Sequence, residues 1–138
     1  MDAGINKLPI GYWVKKTDEL LTRTFENAHK ENKLNKNGWQ ILNTIIVNKE
    51  ILPEQLESMM IPLMNEFDFN DLVNELSERN LISLNGCYKP TEEGIAFHRK
   101  ILNKQTTIRN AVMKDISQEE YEITVSTLQR IIKNLGRV

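Results

Sequence analysis

The 138-residue sequence has little cysteine and no long apolar run. Its one cysteine, Cys87, excludes an intramolecular disulfide and fits a reducing compartment. The longest apolar run, residues 41–47, is interrupted by Asn43 and Thr44, whereas a membrane-spanning helix needs about 20 apolar residues. The N-terminus has no basic segment followed by an apolar one, so we expect no secretory signal. These absences predict a cytoplasmic protein whose length suits one domain.

Groups that carry enzymatic chemistry are also scarce. The two histidines, His29 and His98, lie on different predicted helices, and Cys87 has no sequence neighbour that would activate its thiol. No glycine-rich phosphate loop occurs, and the carboxylates of "TEEG" and "SQEE" are better explained as helix caps than as metal ligands. The sequence therefore predicts no catalytic residues, no metal site and no cofactor.

An excess of positive charge is missing as well. The net charge is −1, which argues against a generally basic nucleic-acid-binding protein. Residues 51–90 contain seven carboxylates and two cations, a net charge of −5, whereas residues 1–50 and 91–138 each carry a net charge of +2. The acidity is therefore concentrated in the middle of the chain.

Helical periodicity is what the sequence has in abundance. Pro9 suits the start of a long first helix, which we predict to run to about Lys30. Asn35 predicts the N-cap of a second helix, Pro53 the first turn of a short third helix, and Asn65 the N-cap of a fourth. These signals predict that four helices begin in the first half of the chain.

A hairpin and two further helices follow. The segment "LISLNGCYK" predicts two short strands joined by a two-residue Asn85-Gly86 turn, in which both residues have positive φ. Thr91 predicts the cap of a fifth helix, and the capping box that starts at Ser117 opens a sixth. The sixth helix has the apolar spacing of a helix that packs along another helix, at Tyr121, Val125, Leu128, Ile132 and Leu135.

The predicted fold class follows from this order of elements. Three central helices and a hairpin are the parts of a winged helix-turn-helix with a small β-hairpin wing. The apolar stripes of the long outer helices exceed what so small a module can bury, so we expect the N- and C-terminal helices to form a dimerisation domain. The prediction is a mainly α protein.

Three segments resemble the MarR-type transcriptional regulators. Residues 8–45 are similar to the family's first helix and the opening of its second, including Trp39. "LVNELSERNLIS" matches the end of the recognition helix, and residues 90–135, with their Thr-Glu-Glu-Gly start, are like the fifth and sixth helices. These segments cover roughly two thirds of the chain. The resemblance implies a single domain over residues 1–138, with the winged helix-turn-helix at 35–90 and dimerisation helices at 1–34 and 91–138.

The family likeness implies a homodimer that binds pseudo-palindromic operator DNA. The fourth helix would enter the major groove with the side chains that face away from its apolar stripe. Asparagine can read adenine with two hydrogen bonds, and aspartate can accept one from cytosine N4. Contacts to the phosphates would come from lysines beside the second helix and in the wing. The predicted DNA-binding residues are Lys36, Asp68, Asn70, Asp71, Asn74 and Lys89.

A small aromatic ligand is the other partner that the resemblance implies, since many members of the family release DNA when such a ligand or an oxidant acts on them. Tyr12, Trp13, His29 and Trp39 are candidates to line its pocket, although aromatic residues at helical spacing also serve as plain core. Cys87 is either a redox-sensing thiolate or a small side chain that fills a strand position.

The sequence departs from the family's pattern where DNA would be touched. The stretch from Leu56 to Leu72 is about two residues longer than usual and contains Pro62, and the hairpin lacks the wing's Asp-x-Arg segment. The fourth helix has five carboxylates and one cation, Arg79. The alternative function is therefore a winged-helix dimer whose altered DNA face binds a protein or senses a ligand. An exposed Phe67 would favour it, whereas a Phe67 packed onto the third helix would not.

Overall fold

The computed structural model of the protein describes residues 7–136, so the predicted domain limits at residues 1 and 138 lie outside the described residues. This part of the chain forms six α-helices and a two-stranded antiparallel hairpin. None of the helices between residues 7 and 136 has the length and apolar content needed to cross a membrane. In chain order the elements are α1 (Ile10–Ala28), a 3-10 turn (Lys30–Asn32), α2 (Lys36–Asn48), α3 (Pro53–Met60), α4 (Glu66–Glu78), β1 (Ile82–Asn85), β2 (Cys87–Pro90), α5 (Glu92–Val112) and α6 (Gln118–Leu135).

The helices begin at the predicted caps. The side chain of Asn35 accepts a hydrogen bond from the Gly38 amide at 2.7 Å, and that of Asn65 accepts one from the Asp68 amide at 2.8 Å. At the start of α6, Ser117 accepts from the Glu120 amide while the Glu120 carboxylate accepts from the Ser117 amide. The bond from the Ser117 amide to the carboxylate lowers the pKa of Glu120. Each cap satisfies an amide that the first helical turn leaves unpaired.

The chain forms two compact units, of which the first extends to Gln105 and the second begins at Thr106. The first unit contains α1 to α4, the hairpin and most of α5. The second contains the end of α5 and all of α6, where no side chain is buried. Within it, the Arg109 guanidinium lies 5.4 Å from the centroid of the Tyr121 ring.

The core of the first unit is built mainly by α2, α3 and α4. The apolar faces of these helices are buried together with residues at the start of the hairpin. In contrast, α1 buries only Phe25, and α5 buries only Gly94 and Ile101. The central buried residues are Ile41, Leu42, Ile45, Leu56, Met60, Phe69, Val73, Leu76, Leu81 and Ile82.

The hairpin differs from the sequence prediction in its turn. Asn85 pairs with Cys87 and Leu84 with Tyr88, so the strands close around Gly86, whose φ is +78°. A two-residue turn would have paired Leu84 with Cys87 and required positive φ at Asn85 as well, and the structure has neither. The predicted strand positions are correct, but the predicted two-residue turn is wrong because glycine alone takes the strained conformation.

A third backbone segment pairs with the hairpin near its turn. The Ile51 amide donates to the Tyr88 carbonyl at 3.1 Å, and the Tyr88 amide donates to the Ile51 carbonyl at 2.9 Å. This pair of bonds ties the connection between α2 and α3 to β2. The wing is therefore attached to the helical core through its backbone as well as through its side chains.

Candidate nucleic-acid interface

Helix α4 presents its polar side chains to solvent. Phe69, Val73 and Leu76 are buried, with Leu72 half-buried beside them. The four residues predicted to face DNA on this helix, Asp68, Asn70, Asp71 and Asn74, are all exposed. The orientation of α4 is thus the one that the apolar spacing predicts, and these four side chains are accessible from solvent.

The exposed face of α4 is acidic and carries almost no compensating charge. Glu66, Asp68, Asp71 and Glu78 have no ion-pair partner among residues 7–136. Asp68 also accepts a hydrogen bond from the Asn65 side chain at 3.0 Å, at the N-terminus of the helix where negative charge is favourable. Part of this acidity therefore stabilises the helix.

The cation that caps the C-terminal end of α4, Arg79, is engaged away from the exposed face of the helix. The Arg79 guanidinium donates to the carbonyls of Asn32 and Lys33, each at 2.9 Å, and lies 5.1 Å from the centroid of the Phe97 ring. It is also 3.8 Å from the carboxylate of Glu75. Arg79 therefore joins the end of α4 to the 3-10 turn and adds no positive charge toward a nucleic acid.

The two lysines predicted to contact phosphates are paired within the chain. The Lys36 amine donates to the Asp18 carboxylate at 2.9 Å and to the Thr22 hydroxyl at 3.3 Å. The amine of Lys89 lies 3.4 Å from the Glu50 carboxylate, and both of these side chains are exposed. Phosphate would have to compete with a carboxylate at each position, more so at Lys36, whose side chain is only 26% exposed.

Two exposed lysines beside α2 are not paired in this way. Lys33 precedes the helix with φ +51°, and Lys49 follows it with φ +66°. Neither has an ion-pair partner among the residues that the structure describes. Among the described residues beside α2, these two cations remain available to a phosphate backbone.

The first turn of α4 and the turn before it expose apolar side chains. Phe67 is 77% exposed, so it does not pack back onto α3. Ile61 and Leu63, in the turn between the two helices, are 40% and 54% exposed. These three apolar side chains can neither donate hydrogen bonds to base edges nor form ion pairs with phosphates.

The four predicted ligand-binding residues fall into two separate groups. His29 is fully buried with its ring 4.5 Å from Phe25, and Trp39 lies 6.3 Å from the same ring. Tyr12 and Trp13 are exposed and contact each other edge to face at 5.0 Å. They lie about 16 residues away along α1, a distance of roughly 24 Å. One chain alone therefore does not bring the four side chains into one pocket.

The buried His29 and the half-buried His98 are held in environments that favour the neutral ring. Burial lowers the pKa of His29; the Gln105 side chain opposes this shift and the Lys104 amine adds to it. His29 Nε2 and Gln105 Oε1 are both buried without a hydrogen-bond partner. Burial also lowers the pKa of His98, which stacks on Trp39 at 4.9 Å.

A cleft that the sequence did not indicate opens beside α1. Its volume is about 460 Å³, and its lining includes Asp18 and Glu26 from α1, Lys36 from α2, and Pro62 and Leu63 from the turn before α4. The spacing of Asp18, Thr22 and Glu26 at every fourth residue could have predicted a polar row on α1. It could not have predicted what this row faces.

Potential metal ligands do not gather in the described part of the chain. No three His, Cys, Asp or Glu side chains among residues 7–136 are arranged to hold a metal ion. Cys87 is half-buried on β2. The candidate interface is therefore made of polar, acidic and apolar side chains around α4.

Comparison with known proteins identifies the fold. Neither a protein-family model nor a curated protein matches the sequence. Among solved structures, a MarR family transcriptional regulator from Silicibacter pomeroyi matches with a TM-score of 0.76 at 14% identity, over 98% of this chain and 99% of that one. NadR in complex with 4-hydroxyphenylacetate matches with a TM-score of 0.79 at 15% identity, over 94% of this chain and 98% of that one.

A third structure, a MarR family protein of Mycobacterium tuberculosis in complex with DNA, matches with a TM-score of 0.73 at 12% identity, over 91% of this chain and 98% of that one. The chain therefore has the winged-helix fold of MarR-family transcriptional regulators, as the sequence predicts. The neighbours whose names state a function are transcriptional regulators rather than enzymes. At these identities the likeness establishes the fold, and the predicted site residues stay predictions.

Proposed function

We propose that this protein is a homodimeric transcriptional regulator that binds operator DNA through α4. The observation that carries the proposal is the exposed polar row of Asn70, Asp71 and Asn74. It lies on a fold shared with a MarR family protein solved in complex with DNA. Asparagine and aspartate can read base edges in the major groove, so α4 would supply sequence discrimination and little affinity for phosphates.

Affinity for the DNA backbone would come mainly from Lys33 and Lys49, with Lys36 and Lys89 exchanging a carboxylate for a phosphate. Two free lysines in each protomer give about four phosphate contacts in a dimer, for a slope of log K against log salt of about −4. We therefore expect weak non-specific binding and a strong dependence on the correct operator sequence.

Dimerisation through the terminal helices is the second part of the proposal, with residues 1–34 and 91–138 as dimerisation helices and 35–90 as the DNA-binding module. Large apolar side chains are exposed in single copies of these helices, including Ile10 at 59%, Ile132 at 69% and Leu135 at 67%. Exposed apolar surface of this extent is typical of an interface. A second copy of the chain would cover it.

A small aromatic ligand is the proposed effector. NadR binds 4-hydroxyphenylacetate in a structure of the same fold. The pair of the buried His29 and the half-buried Trp39, or the exposed pair Tyr12 and Trp13, would contact a ligand here. Quenching of tryptophan fluorescence by salicylate-like compounds, lost in Trp39→Phe but kept in Trp13→Phe, would identify the first pair as the site. We expect the protein to act in the cytoplasm, where such a regulator meets the chromosome.

The DNA-binding proposal is tested with the DNA upstream of the protein's own coding sequence. In gel-shift titrations at about 50 mM salt, where phosphate contacts are strong, this fragment is compared with a scrambled fragment of equal length. Asn70→Ala and Asn74→Ala should each weaken binding of the specific fragment by about tenfold, the effect of a lost base contact. The exposed Asn27→Ala, on α1, is the control and should change nothing. Absence of any shift at micromolar dimer would remove DNA from the proposal.

The dimer is tested by light scattering on the intact chain. We expect a particle of twice the 16.1 kDa chain mass. Ile132→Lys introduces a charge at a side chain that is 69% exposed in one copy, and it should shift the particle toward monomer. Val47→Lys changes a 70% exposed side chain on α2 and should leave the dimer intact. A monomer in the unsubstituted protein would contradict this part of the proposal.

The acidic face of α4 supports a second candidate function. Its carboxylates and the exposed Phe67 suit a winged-helix dimer that binds another protein or senses a ligand in place of DNA. A dimer that leaves both DNA fragments unshifted would favour this candidate.

A further inference from the structure

Three large apolar side chains around the start of α4 are exposed to solvent. Phe67 is more exposed than any other large apolar side chain among residues 7–136. Leu63 lies four residues before it and is 54% exposed, and Ile61 is 40% exposed. Several exposed apolar side chains within one short segment are typical of protein recognition rather than of contact with phosphates.

The charges next to Phe67 determine the kind of partner. Glu66, Asp68 and Asp71 are exposed and have no ion-pair partner in the described part of the chain. Residues 51–90 as a whole carry a net charge of −5. Complementary charge raises the rate of encounter and suppresses wrong partners, so a cationic segment is favoured and an acidic one is excluded.

The cleft beside α1 continues this surface, because Leu63 and Pro62 line its edge. Among the other residues that line it, Glu26 has no ion-pair partner within residues 7–136, whereas Asp18 is paired with Lys36 at 2.9 Å. The cleft therefore offers one free carboxylate next to an apolar rim. A lysine or arginine side chain has the shape and charge for this position, with its stem along Leu63 and its head at Glu26.

We propose that this α4 docking surface, formed by Ile61, Leu63, Glu66, Phe67, Asp68 and Asp71, binds a basic amphipathic segment of another protein. Apolar side chains of the segment pack on Leu63 and Phe67, and its lysines or arginines pair with the surrounding carboxylates. Asp68 and Asp71 are also proposed DNA contacts, so a bound segment excludes the operator. The surface belongs to the first unit and requires neither DNA binding nor dimerisation, so it can be tested without either.

Two designed peptides probe the surface in the full-length protein. Both carry leucine and lysine, one in a helical pattern of about 18 residues, roughly five turns, and one in strict alternation. Two comparison peptides replace every leucine by serine. Binding is followed by fluorescence anisotropy at about 0.1 M salt, where screening beyond about 10 Å reduces non-specific attraction. At least one leucine-containing peptide should bind saturably, and its serine version should bind much more weakly.

Matched variants locate the contact. Phe67→Ser should weaken binding of the peptide by about tenfold or more, as expected for a central aromatic anchor. Asp71→Asn should weaken binding by a smaller factor. Val47→Ser, at a side chain 70% exposed on α2, is the control for lost apolar surface and should have no effect. Circular dichroism of Phe67→Ser should equal that of the parent protein because the side chain is already exposed.

Four results would overturn the proposal. The first is failure of both leucine-containing peptides to bind, and the second is equal binding of the serine versions. The third is a change of oligomeric state in Phe67→Ser, which would assign the surface to a second copy of the chain. The fourth is that Phe67→Ser loses as much affinity for upstream DNA as it loses for the peptide. That result would assign the α4 docking surface to DNA.

Discussion

Replacement of Gly94 by alanine tests the closest backbone approach in the fold. A Cβ added at Gly94, in the first turn of α5, would lie 1.9 Å from the Leu81 carbonyl oxygen and 2.9 Å from its carbonyl carbon. Both are backbone atoms, which cannot move aside as the end of a flexible side chain can. Either α5 or the residue that leads into β1 has to shift by more than about 1 Å, a backbone adjustment of the kind that overpacking forces.

The expected cost follows from the bonds that this shift would stretch. Displacement of backbone by overpacking costs about 1–3 kcal/mol. The Thr91 amide donates to the Leu81 carbonyl at 3.1 Å, and the Thr91 hydroxyl donates to the Asn80 carbonyl at 2.6 Å. Each such bond contributes about 1 kcal/mol. Alanine returns at most about 1 kcal/mol of helix propensity, so Gly94→Ala should destabilise the protein by about 2–4 kcal/mol.

The measurement is urea unfolding followed by tryptophan fluorescence, at one fixed protein concentration because a dimer's stability depends on it. Gly11→Ala, on α1, is the matched control, since no atom lies within 4 Å of its added Cβ. The control should leave stability unchanged or raise it by up to about 1 kcal/mol. A Gly94→Ala protein as stable as the parent would refute the close approach of α5 to Leu81.

Three further predictions concern charge. Asp71→Lys should make the slope of log K against log salt for binding of non-specific DNA more negative by about 2 in a dimer. Glu122→Lys on α6 should not change this slope. Gel shifts at several salt concentrations measure the slope for both variants. Burial lowers the pKa of His29, so as the pH falls this histidine is protonated in the unfolded chain before it is protonated in the folded protein. The free energy of unfolding should therefore decrease below about pH 6.5, by up to about 1.4 kcal/mol per pH unit. Urea titrations of His29→Leu should lack this component. Arg79→Gln should cost about 2 kcal/mol through two lost bonds to carbonyls, whereas Arg23→Gln at a surface pair should cost less than about 0.5 kcal/mol in the same titrations.

The helices and their starts could be predicted from the sequence because caps depend on neighbours a few residues away. Asn65 and Ser117 bond to amides three residues later, and the apolar spacing of α4 correctly predicted which of its side chains are exposed. The hairpin turn could not be read in this way. "NG" is compatible with more than one turn, and the pairing of Leu84 with Tyr88 decides between them.

The electrostatics of the candidate site depend on residues far apart in the chain, which sequence spacing does not bring together. Lys36 is paired with a carboxylate 18 residues earlier, and Arg79 binds carbonyls 46 and 47 residues before it. From the sequence alone, both cations would be regarded as available to bind DNA, whereas in the structure both are bound to other groups of the chain. The separation of Trp13 from His29 was accessible from helix geometry, since a rise of about 1.5 Å per residue fixes it.

The backbone pairing of Ile51 with Tyr88 bears on how the hairpin could be lengthened. These two hydrogen bonds hold Tyr88, two residues after Gly86, so residues inserted at the turn itself should leave the rest of β2 attached to the helical core. A longer tip rich in arginine could therefore be grafted onto this scaffold in a single step. An insertion there would change the length of the wing while every helix stays where it is.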